Sequence, residues 1–406
     1  MAPVPETSIG QVAARTNYIE RSQPLPSPVA ILGRGFDRPD YADLFRPRLH
    51  SANIRNYHLE NVHLDTAAMT LFKNGMKIRE SNYLVPLEFY ENACVIETDL
   101  IKLDSVTEHV MARSFDNYYH WLVQTIPGLD WSARNIGPDN ITLLSGDLKP
   151  WQAEILEILG YDRVSRIALD PRHHYFIPRL EYSEFQNGST AFEISLSAQR
   201  VYDRLAAAAM DGTPVDAKIL YVARTDSANR AAENEEALIR LLEAEGVRVV
   251  VPGSLSVPQQ VNLFGKARAV LGPHGAGLTN VVFCRPGTIF YELLPSHYLN
   301  PCFSRLAQAA GLEYQIDLFD SAETVGEDPH MRGWILDTDL ILSRVVEIKH
   351  RISAARSKRT AAPIPPEPEA ASPLPLLAET THLVIREKPA VEASGFLSRV
   401  WRRVLQ

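Results

Sequence analysis

The sequence predicts an α/β protein with two parallel-sheet, Rossmann-like domains. Strand-like and helix-like segments alternate in two blocks, one beginning near Asp116 and the other near Asp216, and repeated β-α-β units favour parallel sheets. A chain of 406 residues is too long for one ordinary core, so two domains with additional tails are expected. Hydrophobic residues make up 45% and charged residues 22% of the chain, which is typical of a globular protein.

The N-terminal part is predicted to be β-rich. Residues 1–45 are rich in Pro, Gly and polar residues without a clear period, so we expect an N-terminal arm there. Residues 46–210 are predicted to form the first domain, and Asn74-Gly75 within it is a strong hairpin signal. The segment "DNYYHWLVQTIPGLDWSARN" is predicted to be a helix that is interrupted near Pro127, because proline removes a hydrogen-bond donor from the helix.

The second domain is predicted over residues 211–330, and it contains an unusual glycine loop. The loop "GPHGAGLTN" (272–280) follows a strand that is expected to end at Leu271. In open parallel sheets, ligands bind beyond the carboxyl ends of the strands. Closely spaced glycines let a backbone approach a ligand, and backbone N–H groups bind diphosphates well. The order of the glycines does not match the dinucleotide-binding pattern and no P-loop lysine follows, so a tight strand-to-helix turn is the alternative.

Charged residues near other strand ends favour a nucleotide site. Arg224 and Arg230 follow the strand "AKILYVAR", and two guanidinium groups can neutralise a diphosphate without a metal. Glu292 is expected at the end of the strand after the glycine loop, where it would accept hydrogen bonds from ribose hydroxyls. Surface arginines, a structural histidine and a helix N-terminal acid are the simpler alternatives. The predicted donor-binding residues are Arg224, Arg230, His274, Gly275, Ala276, Gly277, Asn280 and Glu292.

Three segments together resemble glycosyltransferase family 61. They are "NYYHWLVQTIPGL", "RTDSANRAAENEEAL" and "GPHGAGLTNVVFCRPGTIFYELLP", and the resemblance extends from about residue 110 to 315. It implies a GT-B fold, in which two Rossmann-like domains face each other across a cleft. It also implies a nucleotide-sugar donor and inversion at the anomeric carbon.

The resemblance places the acceptor side of the site in the first domain. The family's Asn-Tyr-Tyr-His-Trp block matches Asn117, Tyr118, Tyr119, His120 and Trp121 residue by residue. Inversion requires a general base for the acceptor hydroxyl, and His120 has a suitable ordinary pKa. Asp116 lies one helical turn earlier and is expected to orient His120 or to replace it as the base. A core histidine and an N-cap aspartate are the structural alternatives.

The sequence therefore suggests an inverting glycosyltransferase that acts on a glycan or lipid-linked glycan in cell-surface polysaccharide synthesis. A sugar-nucleotide epimerase of similar architecture and a non-catalytic nucleotide-sugar-binding scaffold are the alternatives. No metal or other cofactor is expected, because Asp337-Thr338-Asp339 opens a helix, where the dipole favours acids, and His173-His174 lacks further ligands at metal spacing. The net charge of −8 argues against nucleic acid as a partner.

The C-terminal part is predicted to contain a tether and a membrane-binding helix. A helix is expected over 331–358, a Pro-rich linker over 359–390 and a basic amphipathic helix over 391–406. The apolar face and arginines within 395–405 favour weak binding to an anionic membrane, and docking to a protein is the alternative. Neither a secretory signal nor a spanning apolar run is expected. The predicted location is cytoplasmic, with peripheral attachment to the inner face of the membrane.

Overall fold

Two β-sheets organise the chain and confirm the predicted α/β class. The computed structural model describes residues 4–26, 29–82, 87–95, 99–112, 116–187, 192–210, 212, 218–227, 229–321 and 331–361. The strands are β1 (Glu6–Thr7), β2 (Arg15–Glu20), β3 (Ala30–Leu32), β4 (Ile54–Asp65), β5 (Thr70–Lys73), β6 (Met76–Ile78), β7 (Leu100–Lys102), β8 (Glu108–Met111), β9 (Ile141–Ser145), β10 (Ser165–Ala168), β11 (His174–Ser183), β12 (Ile219–Val222), β13 (Arg248–Val250), β14 (Ala269–Pro273), β15 (Ile289–Pro295) and β16 (Glu313–Phe319).

The helices are α1 (Ile9–Val12), α2 (Pro39–Phe45), α3 (Leu87–Asn92), α4 (Tyr118–His120), α5 (Ile126–Ile136), α6 (Pro150–Ile158), α7 (Leu196–Ala209), α8 (Glu235–Ala244), α9 (Val257–Lys266), α10 (Cys302–Ala309) and α11 (Thr338–Ala361). From α4 onward the helices follow the strands in the order that the sequence predicts, whereas α1, α2 and α3 lie in a region for which no helix was predicted. Within the described residues, no helix has the length and apolarity needed to cross a bilayer. Residues 362–406, which contain most of the predicted linker and the whole predicted amphipathic helix, lie outside the described part.

The first sheet is mixed, so the predicted parallel sheet is correct for only part of it. Its main strand order is β1-β6-β5-β4-β11-β8-β9-β10, with β2 on β4 and β7 on β11. The strands β11, β8, β9 and β10 are parallel neighbours. The long strand β4 instead pairs antiparallel with β11, β2 and β5. The β-rich N-terminal segment therefore joins the α/β block in a single sheet. The predicted hairpin is present, because Asn74 and Gly75 both have positive φ between β5 and β6.

The second sheet is parallel throughout and has the order β13-β12-β14-β15-β16-β3. The chain runs from β12 outward to β13 and then returns to the other side of β12 for β14. This reversal between β12 and β14 is the place where doubly wound sheets bind ligands. The outer strand β3 comes from the region predicted as an arm, and β2 from the same region pairs in the first sheet. Residues 1–45 are therefore built into both sheets.

The helix that carries the "NYYHW" block contains one π-helical turn, Trp121–Thr125, between α4 and α5. Its wide turn is closed by the Ile126 N–H, which donates to the Trp121 carbonyl. Pro127 explains the irregularity, because it has no N–H and its ring crowds the preceding turn. The Tyr202 hydroxyl of α7 donates to the Leu122 carbonyl at 3.1 Å. The predicted interruption near Pro127 is thus a widened turn within one continuous helical segment.

A continuous apolar core packs between the two sheets. It includes buried side chains of the π-helical segment, α7 and α9 together with residues of both sheets, such as Trp121, Leu143, Tyr202, Phe264 and Phe290. Burial of each large apolar side chain contributes about 1.5–3 kcal/mol. This shared core holds the helix of the "NYYHW" block against the segment that follows the glycine loop.

Candidate functional site

Arg224 and the glycine loop, which are among the predicted donor-binding residues, lie at the carboxyl edge of the second sheet. Arg224 follows β12, and the glycine loop follows β14. These strands are the neighbours between which the strand order reverses. The fold therefore places a cation and a glycine-rich backbone where an open parallel sheet offers a crevice for ligands.

The loop glycines make room for protein neighbours. A Cβ on Gly272 would lie 2.7 Å from the Val222 carbonyl oxygen, and one on Gly275 would lie 2.6 Å from Arg224 Nε. A Cβ on Gly277 would lie 3.1 Å from a Val222 methyl group. The strand β14 continues through Pro273, so the predicted end at Leu271 is wrong by two residues, and the 3-10 helix Ala276–Phe283 follows. The loop is a tight strand-to-helix turn packed on β12.

Arg224 fastens the two strand ends to each other. Its guanidinium donates to the His274 carbonyl across the reversal point, and to Ser227 Oγ at 3.0 Å and the Asn229 carbonyl at 2.8 Å within its own loop. Burial, together with the charge of nearby Arg230, lowers the pKa of Arg224 to about 10. A second cation near a partly desolvated guanidinium creates a local preference for an anion.

Arg230 is held by an aromatic ring that sequence reasoning missed. Its guanidinium carbon lies 4.3 Å from the centre of the Tyr298 ring, which is close enough for a cation–π interaction. The Tyr298 ring also contacts His274, with ring centres 5.5 Å apart. Tyr298 follows β15, so its position after a strand end was a usable signal. The loops after β12, β14 and β15 therefore meet around Arg230.

His274 and Glu292 form a buried pair. The His274 Nδ1 atom lies 2.5 Å from Glu292 Oε1, and the Tyr314 hydroxyl donates to Glu292 Oε2 at 2.6 Å. Burial raises the pKa of Glu292 to about 8 and lowers the pKa of His274 well below its ordinary value, and in the latter case Arg230 and Arg224 add to the effect. A single shared proton thus leaves the pair neutral.

The predicted position of Glu292 at a strand end is wrong. Glu292 is the fourth residue of the seven-residue strand β15, and its side chain is fully buried. Both carboxylate oxygens are engaged by His274 and Tyr314, because β15 continues to Pro295 and carries Glu292 inside the sheet. In this arrangement Glu292 is a buried partner of His274 and Tyr314, and it lies away from the strand end at which a contact with ribose was expected.

A hydrogen bond joins the two sequence blocks. The Tyr118 hydroxyl donates to Asn280 Oδ1 at 2.9 Å. The Asn280 amide in turn donates to Gln260 Oε1 at 2.8 Å and to the Gly277 carbonyl at 3.1 Å. The Phe303 ring packs between the blocks as well, 5.7 Å from the Tyr119 ring and 4.8 Å from the His274 ring. Asn280 therefore fixes the glycine loop to the helix that bears His120.

His120 is half-buried in the first turn of this helix, and its neighbour differs from the prediction. Its Nδ1 atom lies 3.0 Å from Gln124 Oε1, whereas Asp116 is exposed and lies 3.5 Å from Lys149 Nζ. The expected pairing of Asp116 with His120 is thus wrong. Asn117 is the N-cap, since its side chain accepts from the His120 backbone N–H. Asp116 precedes the cap and lies outside the helix, so helical spacing does not bring it to His120.

The other polar motifs have structural partners. Asp337 accepts from the Leu340 N–H at 3.0 Å at the start of α11, and it also pairs with Arg34 at 2.7 Å. His173 lies 2.8 Å from Asp99. The absence of a metal from the predicted mechanism stays a prediction.

One further cluster of metal-ligand type lies on the first sheet. His58, Glu108 and Glu181 place ligand atoms within 4.8 Å of one another. Arg15 lies 3.6 Å from Glu181, and Arg179 lies 3.4 Å from Glu108. Because these arginines already neutralise both carboxylates, we interpret the cluster as an ion-pair network across neighbouring strands.

Comparison with known families agrees with these motifs. Residues 118–291, from the "NYYHW" block to β15, match the family model described as Glycosyltransferase 61. Over these residues the chain belongs to glycosyltransferase family 61. The matched region contains Tyr118, His120, Arg224, Arg230 and the glycine loop.

Two plant proteins share a short segment with this chain. A β-1,2-xylosyltransferase of Arabidopsis thaliana is 37% identical over 60 residues, and a β-1,2-xylosyltransferase of Oryza sativa subsp. japonica is 35% identical over 60 residues. Each match covers 15% of this chain and 11% of the relative. The chain thus matches only about a tenth of the length of these relatives, so their sugar and acceptor do not transfer directly to it.

Proposed function

We propose that this family 61 protein is an inverting glycosyltransferase that takes a sugar from a nucleotide-sugar donor. The observation that carries the proposal is the hydrogen bond from Tyr118 to Asn280. It joins the helix that bears His120 to the loop beside Arg224 and Arg230. A candidate base and two candidate diphosphate ligands therefore belong to one connected unit, as a transfer reaction requires.

In this proposal the donor diphosphate binds at the reversal point of the second sheet. Arg230, held over Tyr298, and Arg224 neutralise the charge that develops on the leaving diphosphate. The backbone from Gly275 to Gly277 lies beside them and offers N–H donors. We expect donor binding without a metal, because the two guanidinium groups supply the positive charge.

His120 then serves as the general base on the acceptor side. It takes the proton of the acceptor hydroxyl as the oxygen attacks the anomeric carbon, while the bond from that carbon to the diphosphate breaks on the opposite face. This geometry inverts the anomeric configuration. Two points support the role of His120 as the base. His120 lies on the helix that the Tyr118 hydroxyl links to the donor loop by a hydrogen bond. The imidazole of histidine is a side chain suited to proton transfer near neutral pH.

The family resemblance and the C-terminal residues 395–405 support the remaining parts of the proposal, which are the domain arrangement, the acceptor and the location. We propose a GT-B arrangement, a glycan or lipid-linked glycan as the acceptor, and a role in cell-surface polysaccharide synthesis. A cytoplasmic location at the inner face of the membrane, with residues 395–405 in contact with lipid, completes the proposal. The names of the two plant relatives make a xylosyl donor the first one to test.

The decisive experiment screens the purified full chain against UDP- and GDP-sugars, including UDP-xylose, by thermal shift. A donor at 100 times its Kd should stabilise the fold by about 2.7 kcal/mol. The stabilising donor is then incubated with glycan acceptors, with and without EDTA. Release of the nucleoside diphosphate together with an elongated acceptor supports the proposal. Isomerised donor in the absence of an acceptor would indicate an epimerase, and binding without either reaction would indicate a scaffold.

A further inference from the structure

The π-helical turn places a buried glutamine directly against His120. Gln124 is fully buried in this turn, and its Oε1 lies 3.0 Å from His120 Nδ1. Widened helical turns of this kind are frequent at functional sites. In this helix, Pro127 imposes the widening only a few residues beyond Gln124. The irregular turn and the contact with His120 therefore occur in the same stretch of chain.

We propose that Gln124 is a positioning residue that holds His120 in the tautomer protonated at Nδ1. An amide oxygen can only accept a hydrogen bond, so a proton on Nδ1 satisfies this contact and the lone pair then lies on Nε2. A neutral imidazole with its lone pair on Nε2 is the form that removes a proton from an acceptor hydroxyl. The inference rests on the proposed role of His120 as the base and adds the group that prepares it.

The opposite orientation of the Gln124 side-chain amide predicts the other tautomer of His120. With the Gln124 nitrogen facing His120, Nδ1 would accept and the proton would lie on Nε2, which would remove the basic lone pair from that atom. In the present orientation the Gln124 Nε2 is buried without a hydrogen-bond partner among the described residues. A buried donor without a partner is unfavourable for folding, because its desolvation is not compensated. Gln124 therefore reduces stability at this position while it orients His120.

Gln124 contacts the His120 ring from within the same helical segment, whereas Asn117 accepts from the His120 backbone N–H. The 3-10 segment Ala276–Phe283, which packs against α4, contains no titratable side chain. The rings of Phe192 and Phe303 pack on Tyr119 beside His120. Among the residues that the structure describes, titratable and charged groups around this turn include Asp116, Tyr118, Tyr119, Lys149, Glu154, Glu184 and Cys302.

Two substitutions separate orientation from packing. Gln124→Met keeps a similar volume and removes the acceptor, whereas Gln124→Glu keeps the acceptor and adds a negative charge. Gln186→Met is the matched control, because Gln186 is also buried with one unpartnered amide atom. The Gln186 amide donates to the Met111 carbonyl on the first sheet. Loss of this hydrogen bond in Gln186→Met should lower the melting temperature without changing turnover.

The tautomer is read from the 15N chemical shifts of labelled histidine rings in the full chain, with His120→Ala used to assign the His120 signals. In the wild type, at a pH where the ring is neutral, we expect the proton on Nδ1. Gln124→Met should move it toward Nε2, should lower turnover by roughly tenfold or more, and should not lower the melting temperature. Gln124→Glu should keep the proton on Nδ1 and move the acid limb of the activity profile to higher pH, because a carboxylate raises the pKa of His120.

Three results would overturn the inference. They are a wild-type proton on Nε2, an unchanged tautomer in Gln124→Met, and a loss of turnover in Gln124→Met that is matched by a loss of melting temperature. The NMR readout requires no substrate, so it tests the contact even if no donor is found. If the wild-type His120 ring carries its proton on Nδ1 but His120→Ala keeps normal turnover, the role of His120 as the base is refuted. The contact with Gln124 would then have no catalytic role.

Discussion

Substitution of Gly275 by alanine should weaken donor binding by displacing Arg224. A Cβ at this position would lie 2.6 Å from Arg224 Nε and 2.7 Å from its Cδ, so the guanidinium has to move. The φ of Gly275 is 178°, which is extended backbone that alanine adopts without strain. The perturbation therefore acts on Arg224 and on its bonds to the His274 carbonyl, to Ser227 and to Asn229.

The magnitude follows from the contact that is lost. One hydrogen bond to a charged group contributes about 1.5–3 kcal/mol, which corresponds to roughly 10- to 150-fold in Kd. We expect this loss in calorimetric titrations with the donor that the thermal-shift screen identifies. Gly253→Ala is the matched control on the same sheet edge, because its Cβ would meet only Asp226 Oδ2 at an ordinary 3.4 Å.

The result that refutes this reasoning is donor affinity in Gly275→Ala equal to that of Gly253→Ala. Arg224 would then be a structural clamp between the strand ends, and Arg230 would be the remaining candidate for the diphosphate. Arg224→Ala distinguishes the two cases, because a clamp without ligand contact would lower the melting temperature while leaving the Kd unchanged.

The remaining predictions concern the base, the buried pair and the tail. His120→Ala should lower turnover by about 10²-fold or more with nearly unchanged nucleotide affinity; near-normal turnover in steady-state kinetics would remove His120 from the mechanism. Between about pH 6.5 and 8 the folded pair of His274 and Glu292 keeps a proton that the unfolded chain has released, so stability should fall with rising pH, on the order of 2 kcal/mol across this window. Denaturant unfolding should show this slope in the wild type and not in Glu292→Gln, and equal slopes would contradict the raised pKa of Glu292. The full chain should float with anionic liposomes, less so at high salt, whereas a chain ending near residue 380 should not; equal behaviour of the two chains would assign residues 395–405 to protein docking.

The second sheet was predictable because each of its central strands is a short apolar run between turn residues. β12 and β15 are buried along their whole length, and strands buried on both faces lack alternation but stand out as continuous hydrophobic segments. The first sheet was less predictable. Its mixed character depends on the pairing of β4 with β11, and nothing in the local sequence of β4 specifies a partner so distant in the chain.

The residues of the candidate site that belong to local sequence motifs were predictable, whereas contacts that depend on where elements begin or pack were not. The sequence located the glycine loop and His120 because each belongs to a local motif. It misplaced Asp116 by assuming that the helix began at that residue, whereas the helix begins two residues later at Tyr118 with Asn117 as the cap. Gln124 was detectable from its spacing of four residues after His120, and it was overlooked because a glutamine within an apolar stretch resembles a packing residue.

The shared core determines how such a site can respond to its ligand. Buried side chains from both sheets, among them Leu143 and Phe290, belong to one cluster, and β2 and β3 anchor the N-terminal region in both sheets. A large rotation of one sheet against the other would expose this core, at about 25 cal/mol for each Å² of apolar surface. The repulsion between Arg224 and Arg230 can instead be relieved by a diphosphate without movement of either sheet. We therefore expect donor binding to reorder the loops after β12, β14 and β15 while the sheets keep their relative positions.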